Sequence, residues 1–373
     1  MIKTVIDKHA PLRKTRIKLK ESPWMTPSIL QLIRNRDRLK HKAKKSKIQG
    51  DWDNYRKARN NVTTHIRRAK RNFISSKIES SVQDVKTVWK TLRYLAPEKK
   101  SDAEATSIKL NDNYIRGQEL SNEFNDYFSS IGKVLHDNFP TVKKESHQKV
   151  DSNLNPFVFR DVSANEIENI IKALPVNKAT GPDNLPAKLL RPIASIIALP
   201  VAHILNQSLR TGTVPSQWKC ARVTPIYKGG DKTCMENYRP ISVIPILAKI
   251  MEKVVYKQLF QFLVEIKLLS DCQSGFRPMY STQTALLNVT EKLLNSIDSG
   301  NIVGLVMIDL KKAFDTVDHC ILLEKLEKYG FSELTLKWFK SYFQERKQFT
   351  SVNGYISEEK QVTCGVPLHS FCK

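Results

Sequence analysis

A chain of 373 residues, 40% hydrophobic and 26% charged, has room for about two to three domains with real cores and is too apolar to be disordered throughout. Its net charge of +24 is lopsided: residues 1–100 carry 28 Lys and Arg against 8 Asp and Glu, a net +20, and the remainder 33 against 29, a net +4. Such an excess repels itself unless anions lie against it, so nucleic acid is the expected partner, ahead of an acidic membrane surface or a merely solvated face.

The first strong pattern in chain order is basic and helical, from Thr26 to about Lys47, then a turn at Gly50 and a second helix from Asp51 to about Ser80. On the second helix Trp52, Tyr55, Val62, Ile66, Ala69 and Phe73 recur at three- and four-residue steps, which predicts an antiparallel hairpin sealed by that stripe. The aromatics are read as packing residues, and Arg67, Arg68 and Arg71 as candidates for phosphate contact. Residues 1–100 thus form a basic helical extension. Residues 101–160 read as a connector holding one short helix, Gln118 to Asp137, with Leu120, Phe124, Tyr127, Phe128 and Ile131 on one face. From 161 to 373 the charge is nearly balanced and apolar blocks alternate with Pro and Gly, as in a mixed α+β catalytic domain.

The longest apolar run, Ile193 to Leu205, is broken by Pro200 and His203 and is read as a core helix too short to span a bilayer, so no membrane partner is expected. The N-terminus, MIKTVIDKHAPLRK, shows no apolar core before a small-residue cleavage site; an intracellular protein, nuclear or cytoplasmic and not secreted, is expected. Six cysteines, with no Cys-x-x-Cys pair and no His cluster at zinc spacing, read as reduced, partly buried thiols.

Four blocks carry the candidate chemistry. Lys178 to Asp183 contains a Gly181-Pro182-Asp183 turn between two helices, which alone is only a turn. Val223 to Val255 has a short strand, a Gly229-Gly230 loop and then Tyr238-Arg239-Pro240. Lys228 and Arg239 flank that loop and suit a hairpin offering two cations to a triphosphate, although cations at loop edges are common. In Ser274 to Leu287, Arg277 faces either a nucleic-acid backbone or a local carboxylate. Finally, Ile302 to Ile308 is predicted as a buried strand ending on Asp309, with Phe314 five residues on. A carboxylate at the end of a buried strand is costly unless paired or bound to metal, and the competing reading is an N-cap.

Each block is weak, and their order is specific. Together Lys178 to Asp183, Lys228 with Tyr238 to Ser242, Gly275 to Arg277 with Ser281 and Thr282, and Asp309 to Asp315 resemble the reverse transcriptase of non-LTR (LINE-like, jockey-type) retrotransposons, over roughly residues 160–367. The resemblance implies a right-hand polymerase with fingers and a partial palm, performing RNA-templated DNA synthesis by a two-metal route. It implies two Mg²⁺ ions on Asp309 and the backbone carbonyl of Leu310, a triphosphate held by Lys228 and Arg239, and Phe314 under the sugar, excluding a 2′-hydroxyl. Lys178, Arg277 and Gly365 would touch template, and the basic extension would engage template RNA or target DNA, with dNTPs as substrate.

The family pattern departs after Gly365-Val366-Pro367, where Leu368 to Lys373 replace the expected Gln-Gly, and no adjacent pair of aspartates occurs in the chain. Glu358-Glu359, after the Asn353-Gly354 turn, reads as solvated. The expectation is a polymerase truncated before the Asp-Asp catalytic hairpin, with the rest of the palm and the thumb missing, inactive as it stands, and poorly soluble through an unpaired sheet edge. The alternative is a non-catalytic RNA- or DNA-binding protein derived from a transposable element, whose N-terminal helices do the work. Another kind of nucleotide-binding α/β enzyme is disfavoured, because neither G-x-G-x-x-G nor G-x-x-x-x-G-K-[ST] is present.

Overall fold

A computed structural model describes residues 2–9, 22–80, 89, 105, 107–110, 112–137, 156–310 and 312–366. Two compact units divide the chain, residues 1–101 and 102–373.

The first unit contains α1 (Ile2–His9), α2 (Pro27–Ser46) and α3 (Gln49–Glu79). Thr26 caps α2, its hydroxyl accepting from the Ile29 N–H, and Pro27 opens the first turn, where a missing N–H costs nothing. The chain reverses at Lys47, which takes the left-handed conformation at φ 57° and donates its N–H to the Ala43 carbonyl. The expected turn at Gly50 is therefore displaced: Gly50 lies in the first turn of α3. Asp51 fastens the corner, accepting from the Ser46 hydroxyl at 2.6 Å and pairing with Lys42 at 3.0 Å. Ile29, Ala43 and Val62 are buried in the seam, and Trp24 ahead of α2 meets Phe73 late in α3 at 5.8 Å, which makes the pair antiparallel.

The second unit mixes helices with sheet, consistent with the α+β expectation. Its main sheet holds β3 (Cys220–Tyr227), β4 (Tyr238–Val243), β5 (Lys347–Val352), β6 (Tyr355–Ile356) and β7 (Lys360–Gln361). β3 and β4 form an antiparallel hairpin, Ile226 opposite Arg239 and Tyr227 opposite Tyr238; β5 joins β3 in parallel, Val223 opposite Thr350. Asn353 and Gly354, both at positive φ, make the tight turn from β5 to β6. A small hairpin, β1 (Ile108–Leu110) and β2 (Asn113–Ile115), leads into α4 (Gly117–Asp137), which packs on β5, β6 and β7. Leu120, Phe124 and Phe128 of α4 join Ile108, Ile115, Val223, Tyr238 and Val352 in one core. The segment expected to be a connector supplies most of that core.

A helical layer comprises α5 (Ala164–Lys172), the one-turn α6 (Ala187–Leu190), α7 (Ala194–Thr211), α8 (Ile246–Glu265), α9 (Thr282–Asp298), α10 (His319–Lys328) and α11 (Glu333–Phe343). Ile167, Ile171, Leu205, Ile250 and Met251 are fully buried, and the Trp338 indole donates to the Ser208 hydroxyl at 3.1 Å. The run from Ala187 to Thr211 is helical for longer than the sequence suggested, and by length and composition it could cross a membrane. One face of α7 is core, through Val201 and Leu205, while Ile196 and Leu199 face outward.

Two expectations are corrected. Residues 301–310 form no strand, and Ile302, Val306, Met307 and Ile308 are almost wholly exposed. An apolar run becomes a strand only when a neighbour takes up its N–H and carbonyl groups, and no described strand pairs with it. Among the described cysteines, all free, Cys234, Cys272 and Cys320 are exposed rather than partly buried; Cys220 and Cys364 are half-buried.

Candidate nucleotide site and its relatives

Alternation along the β3–β4 hairpin sorts its residues between two faces. Ala221, Val223 and Pro225 turn inward with Tyr238, whose ring meets Phe124 of α4 edge-on at 5.1 Å. Ile226, Lys228 and Arg239 are exposed on the opposite face. The two cations named from the sequence therefore share a face, diagonally across the hairpin. The Lys228 N–H bonds the Asn237 carbonyl at 2.9 Å, two steps from the Ile226–Arg239 pair. Gly229 and Gly230 turn the loop at φ 130° and 99°, and side chains lace it: Tyr227 donates to the Gly230 carbonyl, Tyr238 to that of Lys232, and Asn237 to that of Asp231. The loop that carries the cations is fastened rather than floppy.

Arg222 shares the outward face at even spacing from Lys228, and its guanidinium bonds the Thr180 carbonyl. That contact draws the Gly181-Pro182-Asp183 turn onto the sheet. A Cβ on Gly181 would overlap the Ile244 carbonyl, and Asp183 accepts from the Ile246 N–H at 3.0 Å, capping α8. Lys249 donates to the Ala179 carbonyl at 3.3 Å. Burial holds its ammonium below the usual lysine range, and Arg222 and Lys178 push the same way against Asp183 and Glu252. Lys178 itself is exposed beside this corner. The sequence reading missed Arg222 and Lys249; strand alternation from Lys228 was the available signal for the first.

The third and fourth blocks also meet. Phe276 packs edge-on against Phe314 at 5.9 Å. Arg277 is held within its own loop: it donates to the Ser270 carbonyl at 2.7 Å and lies 4.3 Å over the Tyr280 ring. It caps a local carbonyl rather than a carboxylate. Gly365, at φ 83°, lies on the backbone of Phe314 and Asp315, where a Cβ would come within 2.9 Å of the Phe314 oxygen. Its N–H bonds the Val317 carbonyl at 2.9 Å, and Val366 N–H bonds that of Phe314 at 2.8 Å. Lys312 reaches the Tyr127 hydroxyl on α4 at 3.1 Å and lies over its ring. Burial, with Glu236 and Asp315 nearby, pushes the Tyr127 hydroxyl up to about 12, and burial also raises Asp315. Tyr127 thus stands between the β3–β4 loop and the Phe314–Asp315 segment. In this arrangement α4 is the hub.

Asp309 and Leu310 lie on the exposed irregular stretch, apart from these contacts. No group of three or more His, Cys, Asp or Glu able to hold a metal ion occurs among the described residues. The residues present do not assemble a two-ion centre around Asp309. Arg67, Arg68 and Arg71 belong to the first unit, where all three are exposed on α3.

Residues 226–368 match the family model of the reverse transcriptase (RNA-dependent DNA polymerase), and residues 25–84 match that of the female sterile protein K10 C-terminal domain. The chain is 28% identical over 358 residues to the probable RNA-directed DNA polymerase from transposon BS of Drosophila melanogaster, covering 93% of this chain and 38% of that protein. It is 33% identical over 210 residues to the RNA-directed DNA polymerase from mobile element jockey of the same species, covering 56% of this chain and 23% of that protein. The probable polymerase from transposon X-element is 28% identical over 209 residues, 55% of this chain and 23% of that protein. The chain therefore spans well under half the length of these relatives. It carries a reverse transcriptase domain and is homologous to the RNA-directed DNA polymerases of jockey-type, non-LTR retrotransposons.

Proposed function

We propose that this chain is the nucleotide- and template-binding part of a retrotransposon RNA-directed DNA polymerase, with residues 161–373 supplying fingers and part of a palm. The observation that carries the proposal is the exposure of Lys228 and Arg239 on one face of a fastened hairpin, two positions apart in its register, inside the segment matched to the reverse transcriptase family. Two cations at that spacing neutralise a triphosphate, and Arg222 extends the positive strip toward Lys178 and the template. Phe314, held by Phe276, is the residue proposed to exclude a 2′-hydroxyl, and Gly365 sets the backbone beside it. Divalent ions, Mg²⁺ in this proposal, would neutralise charge at the transferred phosphate in the intact family, and Asp309 with the Leu310 carbonyl would be the residues here that hold them. The described residues do not build that centre, and in this reading they bind dNTP and nucleic acid without turnover.

Nucleotide binding followed by fluorescence of a labelled dNTP tests the hairpin: Lys228→Ala with Arg239→Ala should weaken it at least about tenfold, the value of one to two charge-assisted contacts. Primer extension on an RNA template with Mg²⁺ tests the rest. Processive synthesis abolished by Asp309→Ala would overturn the claim that turnover is absent.

The second reading, a nucleic-acid-binding protein without chemistry, is favoured by one observation, the net +20 on residues 1–100. It predicts that deleting residues 22–80 removes binding and that deleting the hairpin loop does not.

A further inference from the structure

Under the proposed function the basic first unit meets nucleic acid, and its own residues specify which form. We propose that the α2–α3 hairpin is a duplex-binding module that reads the phosphate backbone and not the bases. The inference rests on the chain handling nucleic acid at all, and it commits to a double helix.

Charge comes first. From Asn54 to Ile78, α3 carries eight cations and no acidic residue. At 100° per residue, Arg56, Lys57, Arg67, Arg68 and Arg71 fall within roughly a 120° arc centred opposite Val62, the residue buried in the seam. All five are exposed. Asp51 is occupied by Ser46 and Lys42, and Asp53, on the same arc, pairs with Arg56 at 3.4 Å, so the row left for phosphates is Lys57, Arg67, Arg68 and Arg71. Lys57 and Arg71 stand about 21 Å apart on one helix. A rigid row of that length fits phosphates that are themselves held in a rigid array.

The aromatics decide the form. Sites for unpaired strands depend on rings that stack with successive bases, because a flexible strand must otherwise be ordered at its own entropic cost. The hairpin has four aromatic residues, and each is half-buried: Trp24 against Phe73 at 5.8 Å, Trp52 against Tyr55 at 6.0 Å. None lies on the cationic arc. The arc itself offers guanidinium and ammonium groups with Asn60 and Thr64 between them. The Asn60 amide oxygen accepts from Arg59 at 3.1 Å and the Thr64 hydroxyl donates to the Asn60 carbonyl at 3.0 Å, so neither is free for a base edge and the cations are left for phosphates. Trp89, beyond the hairpin, is exposed and is the ring that a single strand would use.

The experiment uses the whole chain and fluorescence anisotropy with a labelled 20-base-pair DNA duplex and a single strand of the same length, at about 0.1 M salt. Duplex should bind at least tenfold tighter than single strand, and changing the duplex sequence should shift affinity less than twofold. Arg67→Ala, Arg68→Ala and Arg71→Ala together should weaken duplex binding at least tenfold and flatten the log–log salt slope by about 2.7, the value for three phosphates. Lys at the same three positions should restore most of the slope. Circular dichroism guards against unfolding, which alanine on an exposed helix face does not favour. Single strand bound as tightly as duplex, particularly if lost on Trp89→Ala, would overturn the proposal. So would an intact, helical triple-alanine variant with duplex affinity within twofold. The polymerase reading is judged separately, by dNTP binding to the unmodified chain, so either can fail alone.

Discussion

The carbonyl oxygen of Asp315 rests against the bare Cα of Gly132 in the middle of α4, so closely that a Cβ there would overlap it. Two effects compete on Gly132→Ala. Alanine gains about 1 kcal/mol of helix propensity, whereas overpacking against backbone costs about 1–3 kcal/mol. The clash should win, with a net loss of up to about 2 kcal/mol and quenching changes at Tyr127, whose partner Lys312 lies on the displaced segment. Thermal denaturation read by tyrosine fluorescence checks both.

Phe124 is fully buried and touches both Phe128 and Tyr238. Phe124→Ala should cost about 3–5 kcal/mol by leaving a cavity between α4 and the sheet. Urea denaturation gives the loss. Protease sensitivity rising first in the β3–β4 loop would locate it.

Glu252 on α8 accepts from the Tyr342 hydroxyl at 2.5 Å, and burial pushes its carboxyl up to about 7 despite Arg346 and Lys249 nearby. A folded-state value above the unfolded 4.5 means that the folded protein holds this proton longer, so the stability contributed by Glu252 is fully present below pH 4.5 and is lost as pH rises through 7. Glu252→Gln should therefore be stabilising at pH 8, by about 1–3 kcal/mol, and nearly neutral at pH 4.5. Paired melting curves at the two pH values decide it.

Val306 and Ile308 are exposed at 83% and 84% in a stretch without partners. Replacing both by Lys removes apolar surface from solvent and loses no packing, so stability should change by less than about 0.5 kcal/mol while aggregation falls. Static light scattering against protein concentration is the measurement. Unchanged aggregation with an unchanged melt would mean that another surface, such as Ile196 and Leu199 on α7, drives association.

How far the fold could be read depended on whether a pattern names its own partner. The α2–α3 seam does: residues at three- and four-step spacing on adjacent helices can only close on each other. Its corner was misplaced because Gly50 draws attention, although Lys47 takes the left-handed turn with an i−4 bond that composition does not reveal. The stripe Leu120, Phe124, Phe128 was visible as well, but nothing local says that it packs on β5, some 220 residues later. Likewise Ile302 to Ile308 announces burial without supplying a neighbour, and the structure leaves it in solvent. Lys228 and Arg239 were found because they flank a Gly-Gly loop. Arg222 and Tyr127 were not singled out as site residues, since a site assembled from one strand face and a distant helix has no contiguous signature.

The parallel pairing of β3 with β5 sets Cys220 beside Lys347, a separation of 127 residues. At about 5–20 residues per second of synthesis, the inner edge of β3 waits on the order of ten seconds on the ribosome before its mate emerges. During that interval α4, the β1–β2 hairpin and the 180–183 turn cover the nascent hairpin's faces but not its flank, which invites the same flank on a neighbouring nascent chain. Crowded polysomes should therefore lose more of this protein to tangled by-products than sparsely loaded ones do, and slowing initiation should recover more of it than cooling the finished product.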